Sequence, residues 1–149
     1  MMVMGAAGIF VFAAFAAKVC AEENWTTLTV IEEVGKGKTT VVDLGGKGDS
    51  QGDITAWHEP LVDKAKKNIG TSSGFCIRMV PGQISECQWT LTLREGTITL
   101  AGSEAEKGIS RVPVTGGTGV YAGVTGEAAV THNADGTYTE ILKLKKKKQ

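Results

Sequence analysis

Histidine, cysteine, serine and carboxylate side chains carry most enzyme chemistry, and in this sequence the histidines and cysteines are few, two and three. The two histidines, His58 and His132, stand alone. No Cys/His spacing fits a zinc site. No serine occupies a nucleophile elbow. Gly116-Gly117-Thr118-Gly119 is glycine-rich, but it lacks the following Lys and the helix of a phosphate-binding loop. Hydrolase and metal chemistry are disfavoured, while carboxylates converging in three dimensions stay open. Asn24-Trp25-Thr26 matches a glycosylation sequon, which matters only in a eukaryotic secretory pathway.

Two cysteines and an arginine form the densest chemical grouping. Val80-Pro81-Gly82-Gln83 reads as a turn, with Pro presetting φ and Gly accepting a positive one. A two-residue loop there places Cys76 directly opposite Cys87. Opposed residues of antiparallel strands lie roughly 4.5–5.5 Å apart at Cα, within reach of a disulfide. The alternative is two reduced cysteines packed as small hydrophobes. In that register Cys76, Arg78, Val80, Ser85, Cys87, Trp89 and Leu91 share one face, and Phe75, Ile77, Met79, Ile84, Glu86 and Gln88 the other. The first face mixes apolar bulk, sulfur and a cation, as a ligand-lined barrel interior does. The competing arrangement makes the second face the core and leaves Arg78 in solvent.

The surrounding elements read as β-structure. Thr-, Val- and Ile-rich stretches occur at 25–34, 39–44, 53–57, 74–80, 84–93, 97–101, 109–114, 124–131 and 137–144. Gly-containing breaks separate most of them, so an antiparallel sandwich or barrel is expected. One helical window is expected, over Pro60–Asn68, with a charged loop as its alternative.

Charge is segregated along the chain. The sequence has 149 residues, with 16 basic and 16 acidic side chains. That length suits one domain, and a neutral total argues against a dedicated nucleic-acid binder. Residues 22–142 carry 10 Lys/Arg and 16 Asp/Glu, a net of −6, whereas Lys143 and Lys145–Lys148 add five positive charges. Met1–Ala17 has no charged side chain, and Val19-Cys20-Ala21 follows. This is the pattern of a secretory signal cleaved after Ala21, with an uncleaved anchor as its main rival. The reading gives a leader at 1–21, a body at 22–144 and a basic tail at 145–149, in a secreted or periplasmic protein. Lys145–Lys148 form a solvated tail or make weak contact with an anionic surface.

Several segments resemble one family in their order. They are Gly52-Asp53-Ile54, Trp57-His58-Glu59-Pro60-Leu61, Ile69-Gly70-Thr71-Ser72-Ser73-Gly74-Phe75-Cys76-Ile77, Gly96–Gly102, and Val114–Tyr121 ahead of Gly126. Together they resemble the allene oxide cyclase/dirigent barrel family, especially its small bacterial cyclase-like members. The resemblance implies an all-β, eight-stranded antiparallel barrel with a largely apolar cavity, no cofactor, and often a trimer. By the same resemblance Cys76 matches a pocket cysteine and Trp57 a pocket aromatic. Glu59 stands where the cyclases carry an Asn, and Glu32 is a candidate for the acidic position on the first strand.

Three functions follow from this reading. One is a cofactor-free cyclase or isomerase of a hydrophobic small molecule. There Glu32, Glu59 or Cys76 serves catalysis, Trp57 and Trp89 shape the cavity, and Arg78 binds a carboxylate or oxyanion. The second is a non-catalytic ligand carrier or dirigent-like binding protein. The third is an oligomeric scaffold attached through its lysine tail. A Cys76–Cys87 disulfide excludes a free Cys76 thiol.

Overall fold

The computed structural model describes residues 25–146. The expected leader, and the tail beyond Lys146, lie outside them. Among the described residues no helix is long and apolar enough to cross a membrane. The strands are β1 (Trp25–Glu32), β2 (Lys38–Val42), β3 (Ile54–Val62), β4 (Asn68–Val80), β5 (Ile84–Leu93), β6 (Gly96–Ala105), β7 (Ile109–Gly117), β8 (Val124–His132) and β9 (Tyr138–Lys146). A single 3-10 turn, Gly119–Tyr121, follows β7.

These strands form one antiparallel sheet in the order β1-β9-β8-β7-β6-β5-β4-β3-β2. Pairing of Ile31 with Val62 and of Glu32 with Leu61 joins β1 to β3 and closes an eight-stranded barrel. β2 is an extra strand on the free part of the β3 edge, paired from Lys38↔His58 to Val42↔Ile54. Closure satisfies the edge strands that an open sheet would expose.

Alternation decides what each strand buries. On β5, Cys87, Trp89 and Leu91 point inward; on β9, Glu140, Leu142 and Leu144 do; on β7, Ser110, Val112 and Val114 do. Val30, Leu61, Leu91, Ile98, Leu100, Val112, Ala128 and Leu142 fill the barrel as fully buried core. The expected second face of the hairpin, with Phe75, Ile77, Met79 and Ile84, lies outside. The mixed face therefore lines the interior.

The hairpin register is as expected, with Cys76 opposite Cys87 and Arg78 opposite Ser85. Its loop is longer than two residues, because Val80 pairs with Ile84. An irregularity between Arg78 and Val80 absorbs the extra residue and keeps the cysteines aligned.

No helix forms over Pro60–Asn68. Pro60, Leu61 and Val62 belong to β3, where Leu61 and Val62 are buried at the closing seam. A tight turn follows, in which the Asp63 carboxylate accepts from the N–H of Ala65 at 2.8 Å and of Lys67 at 3.0 Å. Burial at the seam and this turn outweigh a short charged window with weak intrinsic helicity.

Antiparallel order also sorts the connections. The β2–β3, β4–β5, β6–β7 and β8–β9 loops share one end of the barrel, the mouth. The start of β1, the β3–β4, β5–β6 and β7–β8 turns and the end of β9 share the other.

Candidate functional site

Apolar side chains fill the terminus end of the barrel, but toward the mouth the inward positions become polar. There the interior opens into a cavity of about 250 Å³. β1 supplies Glu32, β3 Trp57, β4 Cys76 and Arg78, β5 Cys87 and Trp89, and β9 Tyr138 and Glu140. Glu104 and His132 complete the polar wall.

Glu32 and Glu140 face each other diagonally across the β1–β9 pair, because Glu32 is opposite Tyr138 and Val30 is opposite Glu140. Such diagonal neighbours lie roughly 7–8 Å apart. Both carboxyls are buried, and burial disfavours their charged forms. Burial pushes Glu32 up to about 7, despite a hydrogen bond from Ser72 that favours its charge; the nearby Glu59 and Glu104 charges push the same way. Burial pushes Glu140 further, to about 8, and the negative charge of Glu32 adds to it. Burial thus pushes both carboxyls up toward neutrality in one cavity.

Each is held by a tryptophan. Trp89 Nε1 donates to Glu140 Oε2 at 3.2 Å. Trp57 Nε1 donates to Ser72 Oγ at 3.0 Å, and Ser72 in turn supports Glu32. Gly74 lies opposite Trp89 in the β4–β5 register, and its missing side chain leaves room for the close approach of the β5 backbone at Gln88 and Trp89. At the wall, His132 Nε2 and Glu104 Oε1 are 2.8 Å apart. The His132 ring packs on Tyr138 with centroids 4.0 Å apart. Burial and the acidic neighbours Glu104, Glu106 and Glu32 push the Tyr138 phenol up to about 12, so it remains a neutral donor.

The other expected site residues have different surroundings. Glu59 shares the inward face of β3 with Trp57, is 0% exposed, and is not among the cavity-lining residues. Its carboxylate accepts from Gly37 N–H at 2.6 Å and from the Thr39 hydroxyl at 2.7 Å, tying down the chain that enters β2. Burial raises its pKa, but these bonds outweigh burial and hold the carboxyl below its usual range. Cys76 and Cys87 are joined in a disulfide, so neither offers a thiol. With Glu104 they make a grouping of donor atoms within 4.8 Å of one another, but the bonded sulfurs are not thiolates and do not fit a metal site. The disulfide points to a non-reducing compartment.

Arg78 is already engaged. Its Nε donates to Asp49 Oδ1 at 2.7 Å, and its Nη1 pairs with Glu106. Asp49 also accepts from Gly82 N–H at 2.7 Å. The 43–53 loop carrying Asp49 is ordered by Asp53, whose carboxylate accepts from the N–H groups of Leu44 and Ser50 and is held below its usual range by them. Arg78 therefore clamps two loops at the rim.

Glu140, Glu104 and His132 were not singled out by sequence reasoning. Glu140 carried a signal: it alternates with Tyr138, Leu142 and Leu144, an acid on an otherwise apolar face.

Several known proteins share this architecture. A pyocyanin demethylase is 26% identical and superposes with a TM-score of 0.69, covering 80% of this chain and 99% of its own. A pterocarpan synthase dirigent protein is 16% identical, with a TM-score of 0.70 over 87% of this chain and 88% of its own. A Diels–Alderase from Streptomyces koyangensis is 16% identical, with a TM-score of 0.66 over 86% of this chain and 71% of its own. No curated protein matches the sequence. The family model described as the allene oxide cyclase barrel like domain matches residues 33–142, most of the barrel, and the chain belongs to that family.

Proposed function

We propose that the barrel binds a compact hydrophobic molecule and steers its isomerisation or cyclisation by proton transfer between two buried carboxyls. One observation carries this reading: Glu32 and Glu140 share a cavity and titrate near 7 and 8. Paired groups whose environments separate their proton affinities serve as base and acid. At neutral pH Glu140 is mostly protonated and Glu32 is substantially ionised. Glu32 takes a proton from one atom of the ligand while Glu140 delivers one to another, and a double bond shifts between them. Proton return from Glu32 to Glu140 resets the pair. No external oxidant or reductant is needed for that balance.

Trp57, Trp89 and the disulfide wall position the ligand and keep water out, which favours reaction by orientation and desolvation. The acidic wall suits an uncharged or cationic ligand better than a carboxylate. The engagement of Arg78 by Asp49 and Glu106 supports the same preference. The disulfide, together with the signal-like leader, supports work outside the cytosol. Exposed Phe75, Ile77, Met79 and Ile84 on the outer β4–β5 face support self-association, as the trimer implied by family resemblance would require.

Deuterium exchange tests the chemistry. The protein is incubated in D2O with apolar metabolites of its host, and bound molecules are analysed by mass spectrometry. One bound species is expected to gain carbon-bound deuterium with the wild type and not with Glu32→Gln or Glu140→Gln. Binding without deuterium gain would sink the proton-transfer reading and leave a carrier.

A further inference from the structure

Two oxygens on β9 lack partners. Glu140 is 2% exposed, and its single hydrogen bond among the described residues is the one that Trp89 Nε1 donates to Oε2. No cation pairs with it, since Arg78 is held by Asp49 and Glu106, and His132 lies against Glu104. A carboxyl so enclosed and without a cation stays neutral. Its proton then sits on Oε1, because Oε2 accepts from the indole. The second oxygen belongs to Tyr138, whose ring packs on His132 while its hydroxyl has no hydrogen-bond partner among the described residues. No fully buried side-chain oxygen or nitrogen among those residues lacks a partner. Both oxygens therefore border open space, and the space that both residues line is the cavity.

Two O–H donors thus meet one cavity from alternate positions on the inward face of β9. β1 brings a base to them, because Glu32 is directly opposite Tyr138 in the β1–β9 register. The other acids nearby are engaged: Glu104 with His132, Glu106 with Arg78, and Glu59 with Gly37 and Thr39. Donors without acceptors in an enclosed site call for a ligand oxygen that accepts. A carbonyl oxygen offers two lone pairs to two donors and carries no charge for the acidic wall to repel. We propose that the cavity takes an enolisable ketone or enone, its carbonyl oxygen received by the Tyr138 hydroxyl and the Glu140 carboxyl and its α-carbon against Glu32. This rests on the proton-transfer reading above, gives it a substrate class and makes Tyr138 a catalytic residue. The α C–H bond breaks and its proton passes to the Glu32 carboxylate. Its electron pair forms the new C=C bond, and the C=O π pair moves onto the oxygen, which takes the Glu140 proton. Glu32 then returns its proton to the α-carbon, or to the γ-carbon of an enone, and the oxygen returns its own to Glu140. A phenol and a neutral carboxyl in an apolar site stabilise the charge that develops on such an oxygen.

Three bicyclic probes test the site on the full chain: 2-tetralone as ketone, 2-naphthol as a mimic of its enol, and naphthalene as the frame without oxygen. Calorimetry should show 2-naphthol binding about tenfold or more tightly than naphthalene. Tyr138→Phe removes a hydroxyl that supports nothing else, so the fold should be unchanged. Its affinity for 2-naphthol should fall several-fold while that for naphthalene stays the same. In D2O the wild type should exchange the α-hydrogens of 2-tetralone above the buffer rate. Exchange should vanish in Glu32→Gln and slow about tenfold or more in Tyr138→Phe and in Glu140→Gln. Equal affinity for 2-naphthol and naphthalene would overturn the oxygen site. Unchanged 2-naphthol binding and unchanged exchange in Tyr138→Phe would remove Tyr138 from it. A Tyr138-dependent preference for 2-naphthol with no exchange of 2-tetralone would support the oxygen site and overturn Glu32 as the base, so failure of the substrate class and failure of the proton transfer read differently.

Discussion

The Trp89 indole N–H points at the Glu140 carboxylate across the barrel, 3.2 Å from Nε1 to Oε2, where both side chains are almost completely buried. This contact opposes the stronger effect of burial, which keeps the carboxyl protonated near neutrality. A buried carboxyl with a single indole donor is a poor structural anchor but a serviceable proton store. Its cost appears in the dependence of stability on pH.

Between pH 4.5, the ordinary carboxyl value, and about 8, the folded chain holds the Glu140 proton while the unfolded chain has released it. The native state binds more protons in that window, so its contribution to stability falls as pH rises. The stability is complete below 4.5 and lost above about 8. Glu140→Gln keeps the hydrogen bond to Trp89 without the ionisation. Its urea stability relative to wild type should rise from pH 5 to pH 9 by on the order of 3 kcal/mol. A flat difference across that range would mean that Glu140 is not held protonated.

Trp89→Phe should act in the opposite sense on the titration. The indole favours the ionised carboxyl, so its loss raises the Glu140 midpoint further. A hydrogen bond to a charged group is worth roughly 1.5–3 kcal/mol, which corresponds to an upward shift of about one to two pH units. Carbon-13 NMR of labelled glutamate side chains would follow this directly. The Glu32 midpoint, supported through Trp57 and Ser72, should move little.

Local pattern was legible in the sequence, and long-range closure was not. Strand alternation identified the inward face of β5, and the Cys76/Cys87 register followed from a turn a few residues away. Glu140 was legible too: one acid in an apolar alternation has to be buried or functional. The fate of Glu59 was not readable. Its face on β3 is the same as that of Trp57, but Thr39 on β2 and Gly37 just before that strand reach it from 20 and 22 residues away. The 60–68 segment failed as a helix for a similar reason, since Leu61 and Val62 are buried by β1, far off in sequence. The charge on Arg78 was evident, but its two acidic partners come from loops whose positions only the closed barrel sets.

The disulfide should be a staple and not a reagent. It closes a short hairpin, with the cysteines 11 positions apart in sequence. On chain-entropy grounds a loop of that size contributes about 3 kcal/mol. Replacing both cysteines with Ser should lower urea stability by about that amount. Deuterium incorporation into a bound ligand should survive at a temperature where the variant remains folded. Loss of exchange in a folded Cys76→Ser/Cys87→Ser protein would restore a chemical role to sulfur.

Arg78 should matter more for the rim than for the fold. Its partners Asp49 and Glu106 are substantially solvent-exposed, and exposed ion pairs add little to global stability. Arg78→Met keeps the aliphatic stem and removes both pairs. Its unfolding midpoint should stay within about 1 kcal/mol of wild type. Limited proteolysis within residues 43–53 should accelerate several-fold, because Asp49 loses one of its two ties to the barrel and keeps only that to Gly82. Unchanged proteolysis would show that Asp53 and the Asp49–Gly82 hydrogen bond order the loop without Arg78.

Gly74 tests how tightly the site is built. A Cβ at this position would sit 2.5 Å from the Gln88 carbonyl oxygen and 2.8 Å from the Trp89 Cα, closer than side chains approach. Backbone atoms are involved, so rotation of a side chain cannot relieve the clash. Gly74→Ala should therefore push β4 and β5 apart at the level of Trp89 and cost about 1–3 kcal/mol, as overpacked interiors do. The displacement should also loosen the Trp89–Glu140 bond. An upward shift of the Glu140 titration should accompany the lost stability, together with an altered near-ultraviolet tryptophan signal. Lost stability with an unmoved titration would separate the packing of the barrel wall from the tuning of its acid.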